Sequence, residues 1–142
     1  MKYNVVMLYH PNGQHVLMCL RQKNPYKGKY NFVGGKMNPG ESPLDAAYRE
    51  LQEETGITEQ AVTLLPVMTL QYHLSNLELY VFAGMLRTEI PLVEELNPLE
   101  WVNLNESFFD LERFAGEGNI GHMVAQVDMY WEKLFGEKQA VK

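Results

Sequence analysis

GKMNPGESPLDAAYRELQEETGI, residues 35 to 57, is the best-punctuated stretch of the chain. Ser42 is a good N-cap, Pro43 suits the first helical position, and Asp45 completes a capping box with Ser42. Leu44, Ala47, Tyr48 and Leu51 then recur at steps of three and four, an apolar stripe for one face of a helix. Gly56 ends the run as a left-handed cap. The spacing predicts a helix over 42–55. Its acidic residues follow the same period: Glu50, Glu53 and Glu54 share a second face and gather at the C-terminal end, where the macrodipole is already negative. Like charges so spaced repel by about 0.2–0.5 kcal/mol per pair, and the dipole adds a similar penalty.

A divalent cation turns that penalty into affinity. Mg²⁺ is a hard ion that takes oxygen ligands and shares carboxylates with substrate phosphates. Arg49, four residues before Glu53, is placed to hold that carboxylate by a charge-assisted hydrogen bond. Gly34 and Gly35 permit a tight turn whose backbone groups approach an ion or a phosphate closely.

Working outward, residues 3–9 and 15–21 are apolar runs separated by HPNGQ, whose Asn12-Gly13 pair signals a β-hairpin. Residues 22–30 read as a basic loop, and YNFVGG as a short strand entering the glycine turn. Strands are expected at 62–73 and 77–87, joined by a second hairpin at LSN, with a shorter one at LEWVNL. From 119 onward the apolar residues Met123, Val124, Val127, Tyr130, Trp131 and Leu134 keep a helical period, so one C-terminal helix is expected. Two hairpins plus longer crossovers argue for a mixed sheet between helical layers, an α/β/α arrangement.

With 142 residues, 46% hydrophobic and 21% charged, the chain reads as one globular domain over 1–142. A net charge of −6 with no dense Lys/Arg cluster argues against a nucleic-acid polymer as partner. No apolar run approaches spanning length, so no membrane partner is expected. Cys19 is the single cysteine, which fits a reducing compartment, and a cytoplasmic location is expected. In VLMCLR it reads as core packing rather than a nucleophile.

The same residues carry a family resemblance. Gly35, Glu41, Arg49, Glu50, Leu51, Glu53, Glu54, Gly56 and Ile57 fill every fixed position of the Nudix box, G-x5-E-x7-R-E-U-x-E-E-x-G-U, where U is a bulky aliphatic residue. The resemblance implies a Nudix-type α/β/α sandwich with a mixed β-sheet. It also implies hydrolysis of a nucleoside diphosphate linked to a further group X. Carried over residue by residue, it makes Glu50, Glu53 and Glu54 metal ligands, with Gly34 offering a backbone carbonyl, and Mg²⁺ the cofactor, Mn²⁺ an alternative. Arg49 would orient the acids, and Glu41 would stabilise the loop and helix or act through water. Glu53 is the expected general base, with a residue of the 89–100 loop as competitor.

Substrate choice lies outside the box. Arg21, Lys23, Lys27, Lys29 and Lys36 make the one basic neighbourhood of an acidic chain. Arg21, Lys23 and Lys36 are candidates for substrate phosphates, Arg21 especially because a guanidinium binds phosphate in a fork. Val33 before the glycine pair resembles the branch acting on oxidised purine nucleoside triphosphates, whose acidic-Pro-Trp stretch is loosely echoed by EELNPLEWVNL. That likeness suggests a small nucleotide substrate, a nucleoside triphosphate such as 8-oxo-dGTP. Trp101 is a candidate to stack on a base, with core packing as the competing reading. Tyr3, Asn31, Phe32, Tyr72 and Tyr80 are further pocket candidates, and Glu94, Glu95 and Glu100 candidates for an additional ligand or base. ADP-ribose or dinucleoside polyphosphate hydrolysis, and a nucleotide-sensing module without catalysis, are the alternatives. A homodimer through the C-terminal helix or a sheet edge is compatible with the sequence.

Overall fold

The computed structural model describes residues 1–137. Its elements are β1 (Lys2–Tyr9), β2 (His15–Leu20), β3 (Tyr30–Asn31), α1 (Pro43–Thr55), β4 (Leu65–Tyr72), β5 (Leu77–Met85), β6 (Leu99–Asn103), α2 (Asn119–Met129) and α3 (Trp131–Phe135). The sheet is mixed. β1 runs parallel to β5 along its whole length, while β4 pairs antiparallel with β5 and β6 with β2.

The opening hairpin forms around Gly13, which adopts φ +70°. Its strands stay paired only beside the turn, at Tyr9 and Val16, and then splay apart. The segment after the basic loop is wedged into the opening: Tyr30 and Asn31 pair with β2, whereas Val33 and Lys36 bridge to Val6 and Tyr3 of β1. This wedge carries the glycine turn into the middle of the sheet. Its backbone is fixed from β1, with Val6 N–H donating to Val33 O at 2.8 Å and Asn4 N–H to Gly35 O at 2.9 Å.

Alternation along β1 supplies both faces of the sandwich. Val6 and Leu8 pack with Leu17, Val33, Ala47, Leu51, Ile57 and Phe82 beneath α1. Met7 and Tyr9 pack on the opposite face with Phe114, Ile120, Met123, Val127 and Trp131. Helices cover both faces of the sheet, as expected.

The expected C-terminal helix is interrupted. Tyr130 leaves helical geometry at φ −109°, ψ 24°, and α3 begins at the next residue. The break lets Trp131 turn inward, where its ring meets Tyr9 edge-on at 5.1 Å and Phe135 at 4.9 Å. The expected strand starting at 62 begins at Leu65 instead, because Val62 and Leu64 turn into the α1-side core. Among the described residues no helix is long and apolar enough to cross a membrane.

Candidate hydrolytic site at the glycine turn

α1 is capped as its sequence dictates. Ser42 Oγ accepts from the Asp45 N–H at 3.1 Å, and Gly56 at φ 79° returns its N–H to Gln52 O. The buried face is Ala46, Ala47, Leu51 and Thr55. Leu44, assigned to the apolar stripe from its spacing, is instead exposed: it lies in the first turn, and Ala46 is buried in its place. Tyr48 anchors the flank, its hydroxyl accepting from the Leu64 N–H at 2.9 Å.

Arg49 is the organising cation. Its Nε and Nη2 fork onto Glu41 at 2.7 and 2.9 Å, and Nη1 donates to Glu50 Oε1 and Glu53 Oε2, both at 3.1 Å. Nη2 also reaches the Lys36 carbonyl at 3.2 Å, so one guanidinium ties helix and preceding loop together. The contact expected from spacing, to Glu53, is present, but the forked pair is with Glu41. That pairing holds the Glu41 carboxyl below its ordinary range, helped by the Asn38 N–H.

The glutamates do not stand equivalently on one face. Glu53 is turned to solvent, whereas Glu50 and Glu54 are drawn in against the glycine turn. Gly34 donates its N–H to Glu54 Oε2 at 2.8 Å. It sits at φ 140°, and a Cβ there would lie 2.3 Å from the Asn4 carbonyl oxygen, so no other residue fits. A Cβ on Gly35 would lie 2.8 Å from the Glu50 carboxyl carbon. Two bare peptide units thus form the wall against which two carboxylates pack.

Burial sets their electrostatics. Glu54 is pushed up to about 7, chiefly by desolvation and further by Glu50 and Glu53; the Gly34 N–H and Arg21 pull the other way. Glu50 is also raised by burial, with Arg49 opposing. Two half-buried carboxylates held above their ordinary range are short of positive charge, the donor set a hard divalent cation prefers. Among the described residues, however, no three His, Cys, Asp or Glu side chains converge as ligands, because Arg49 engages Glu53 and Glu50 while the Gly34 N–H engages Glu54. The residues suit a cation once those hydrogen bonds are exchanged.

The other candidates divide. Arg21 lies near enough to Glu54 and Cys19 to oppose the rise that burial gives both, and its Nε donates to Pro25 O at 3.3 Å. Lys23 and Lys36 are exposed, Lys36 directly beyond the glycine pair. Cys19 is buried, its thiol pushed up to about 11, as a core residue should be. Trp101 is partly buried: it packs against the α1-side core and meets the His10 ring edge-on at 5.0 Å. Phe32 is likewise core. Asn31 accepts from the Phe32 N–H, Tyr80 donates to Glu78, and Tyr72 bonds Asn119. Tyr3 is half-buried. Glu94 caps the Leu99 N–H at 2.6 Å, Glu100 neighbours Tyr30, and Glu95 is exposed.

One feature of the basic loop has no local sequence signal. Tyr26, at φ 69°, donates its hydroxyl to Glu117, at φ 51°, with 2.8 and 2.7 Å to the two carboxylate oxygens. Lys29 Nζ reaches Leu111 O at 2.6 Å. The loop bearing Arg21 and Lys23 is therefore strapped to the segment before α2.

Known proteins resemble this chain in sequence and in fold. The profile of the NUDIX domain matches residues 2–124. The chain is 36% identical over 76 residues to an 8-oxo-dGTP diphosphatase of Escherichia coli, covering 54% of this chain and 59% of that one. It is 38% identical over 52 residues to an ADP-ribose pyrophosphatase of Methanocaldococcus jannaschii, covering 37% and 31%. The aligned stretch thus spans less than two thirds of these relatives' lengths. Among solved structures, a C. elegans Ap4A hydrolase binary complex superposes with TM-score 0.75 at 18% identity, covering 93% of this chain and 99% of that one. The NUDIX domain of Shewanella oneidensis NrtR, complexed with ADP ribose, superposes with TM-score 0.72 at 14% identity, covering 92% and 88%. At these identities the superpositions speak to the fold.

Proposed function

The chain belongs to the NUDIX domain family, and from that premise we propose that it is a Mg²⁺-dependent pyrophosphohydrolase of small nucleotides, with Mn²⁺ able to substitute. Its substrate is a nucleoside diphosphate linked to X, foremost a nucleoside triphosphate such as 8-oxo-dGTP, cleaved to monophosphate and pyrophosphate. The observation that carries the reading is the packing of Glu50 and Glu54 against the Gly34–Gly35 turn, where burial leaves both short of positive charge.

Glu50, Glu54 and, once released by Arg49, Glu53 would hold the cation, with a carbonyl of the glycine turn beside them. When bound, the cation neutralises charge developing on the phosphoryl oxygens and lowers the pKa of coordinated water. The chain's own residues do the rest. Arg49 holds Glu41, Glu50 and Glu53 in one array, so their orientation is set before substrate arrives. Glu53, the exposed member, takes the proton of the attacking water; the new O–P bond forms as the bond to the bridging oxygen breaks. Arg21, with Lys23 and Lys36, meets the phosphates entering an acidic site.

Turnover over nucleoside triphosphates, oxidised purine nucleotides, ADP-ribose and dinucleoside polyphosphates tests the reading. Pyrophosphate release with Mg²⁺, lost in Glu53→Gln, supports it. Absence of turnover with both Mg²⁺ and Mn²⁺ overturns it. The M. jannaschii relative favours ADP-ribose as the second reading, recognised by release of two monophosphates instead. Binding of a nucleotide without cleavage would mark a sensing module; the complete set of box carboxylates weighs against it.

A further inference from the structure

Asn4 interrupts the apolar run of β1 and is 2% exposed. Its side chain shares the α1 face with Val6 and Leu8. Its backbone N–H is already committed to Gly35 O, and the residue is in register with Tyr80 of β5. Yet neither Oδ1 nor Nδ2 has a hydrogen-bond partner among the described residues, and both atoms are buried. A carboxamide carries two donors and an acceptor oxygen, and burying them unpaired costs more than an apolar side chain of the same shape would. Such a group in a native interior calls for a reason.

Its position supplies one. A Cβ on Gly34 would lie 3.1 Å from Asn4 Oδ1, while a Cβ on Gly35 would lie 2.8 Å from the Glu50 carboxyl. The glycine turn therefore touches both groups, the unpaired carboxamide at Gly34 and the Glu50 carboxylate at Gly35. Gly34 N–H is committed to Glu54 Oε2. Once Glu54 serves as a ligand, that N–H needs another acceptor, and Asn4 Oδ1 lies against the same glycine.

We propose that Asn4 is a positioning residue of the hydrolytic site: its carboxamide takes over the hydrogen bonding of the Gly34–Gly35 turn when Glu54 is engaged, and so holds the turn in its working conformation. The inference rests on the metal-dependent hydrolysis proposed above. In the unloaded protein the carboxamide is a burden to the fold; in the loaded one it is paired. Stability and function should therefore move in opposite directions when it is removed.

Asn4→Leu and Asn4→Thr, in the full chain, test this. Three quantities are read: the metal-free melting temperature, Mn²⁺ affinity by electron paramagnetic resonance, and kcat and KM per folded molecule well below the melting temperature. The expected result for Asn4→Leu is a melting temperature equal to or above wild type, with Mn²⁺ affinity and kcat each at least tenfold lower and KM within about threefold. Asn4→Thr, which keeps an acceptor oxygen, recovers part of both. Mn²⁺ affinity and kcat within twofold of wild type in Asn4→Leu would overturn the proposal, whatever the melting temperature does. If the wild-type chain binds Mn²⁺ but cleaves no nucleotide, the hydrolase reading falls while the affinity comparison still decides the role of Asn4. A wild-type chain that takes up no Mn²⁺ overturns both.

Discussion

Adding one methyl group at each of the two adjacent glycines should separate fold from function. In Gly35→Ala the new Cβ lies 2.8 Å from the Glu50 carboxyl carbon, whereas ordinary contact begins near 3.4 Å, so the carboxylate must retreat by 3.4 − 2.8 = 0.6 Å or more. It can do so, because it is the far end of a flexible side chain and gains hydration as it leaves a site that raises its pKa. The fold should lose no more than about 1–2 kcal/mol, while a misplacement of about 1 Å costs on the order of 10²-fold in rate, so a loss of roughly tenfold or more is expected here. In Gly34→Ala the new Cβ lies 2.3 Å from the Asn4 carbonyl oxygen, with φ at 140°. Neither the β1 backbone nor the turn can yield without breaking the strand contacts, so about 3 kcal/mol or more of stability should go. Urea unfolding of the metal-free variants, with Mn²⁺ affinity and turnover on the same samples, reads both effects. Wild-type affinity and turnover in Gly35→Ala, or equal stability losses in the two variants, would refute the reasoning.

Arg49→Lys keeps the charge but not the fork onto Glu41, and should cost about 1–3 kcal/mol of stability with a kcat loss exceeding tenfold, checked by denaturation and steady-state kinetics. Glu54 is raised from 4.5 to about 7 in the fold, so its protonated form favours folding. This contribution is complete below pH 4.5 and is lost as pH rises through about 7, at most about 3 kcal/mol in the metal-free protein. Melting temperatures between pH 5 and 8 should therefore show an extra fall with pH that Glu54→Gln abolishes, and Mn²⁺ affinity should climb over the same window. Tyr26→Phe cuts the bond to Glu117 and frees the loop bearing Arg21; KM should rise by about fivefold, the equivalent of about 1 kcal/mol, with kcat little changed.

What the sequence disclosed was mostly local. The cap at Ser42, Pro43 after it and Gly56 at the end bounded α1 to within a residue, because each acts on its own turn. The Arg49–Glu53 contact was readable for the same reason, being one helical step. Leu44 misled because a stripe drawn by period cannot tell which turn of the helix meets the core. The splaying of β1 from β2 was hidden, since β1 takes its long partner from β5, more than seventy residues onward, and only the assembled sheet decides that pairing. The Tyr26–Glu117 strap was hidden likewise, its partners 91 residues apart. Asn4 did leave a signal, a carboxamide in KYNVVMLY, but its meaning depended on which face of the strand met the glycine turn. Trp101 looked suited to stacking by residue type; it packs partly against the α1-side core, a contact that only the assembled sheet decides.

The most direct measurement is a crystal structure of the chain with Mg²⁺ and a nonhydrolysable nucleotide. The cation should lie between Glu50 and Glu54, with Glu54 parted from the Gly34 N–H and the phosphates toward Arg21. Density showing both carboxylates still bonded to Arg49 and Gly34, with the nucleotide bound and no ion between them, would contradict it.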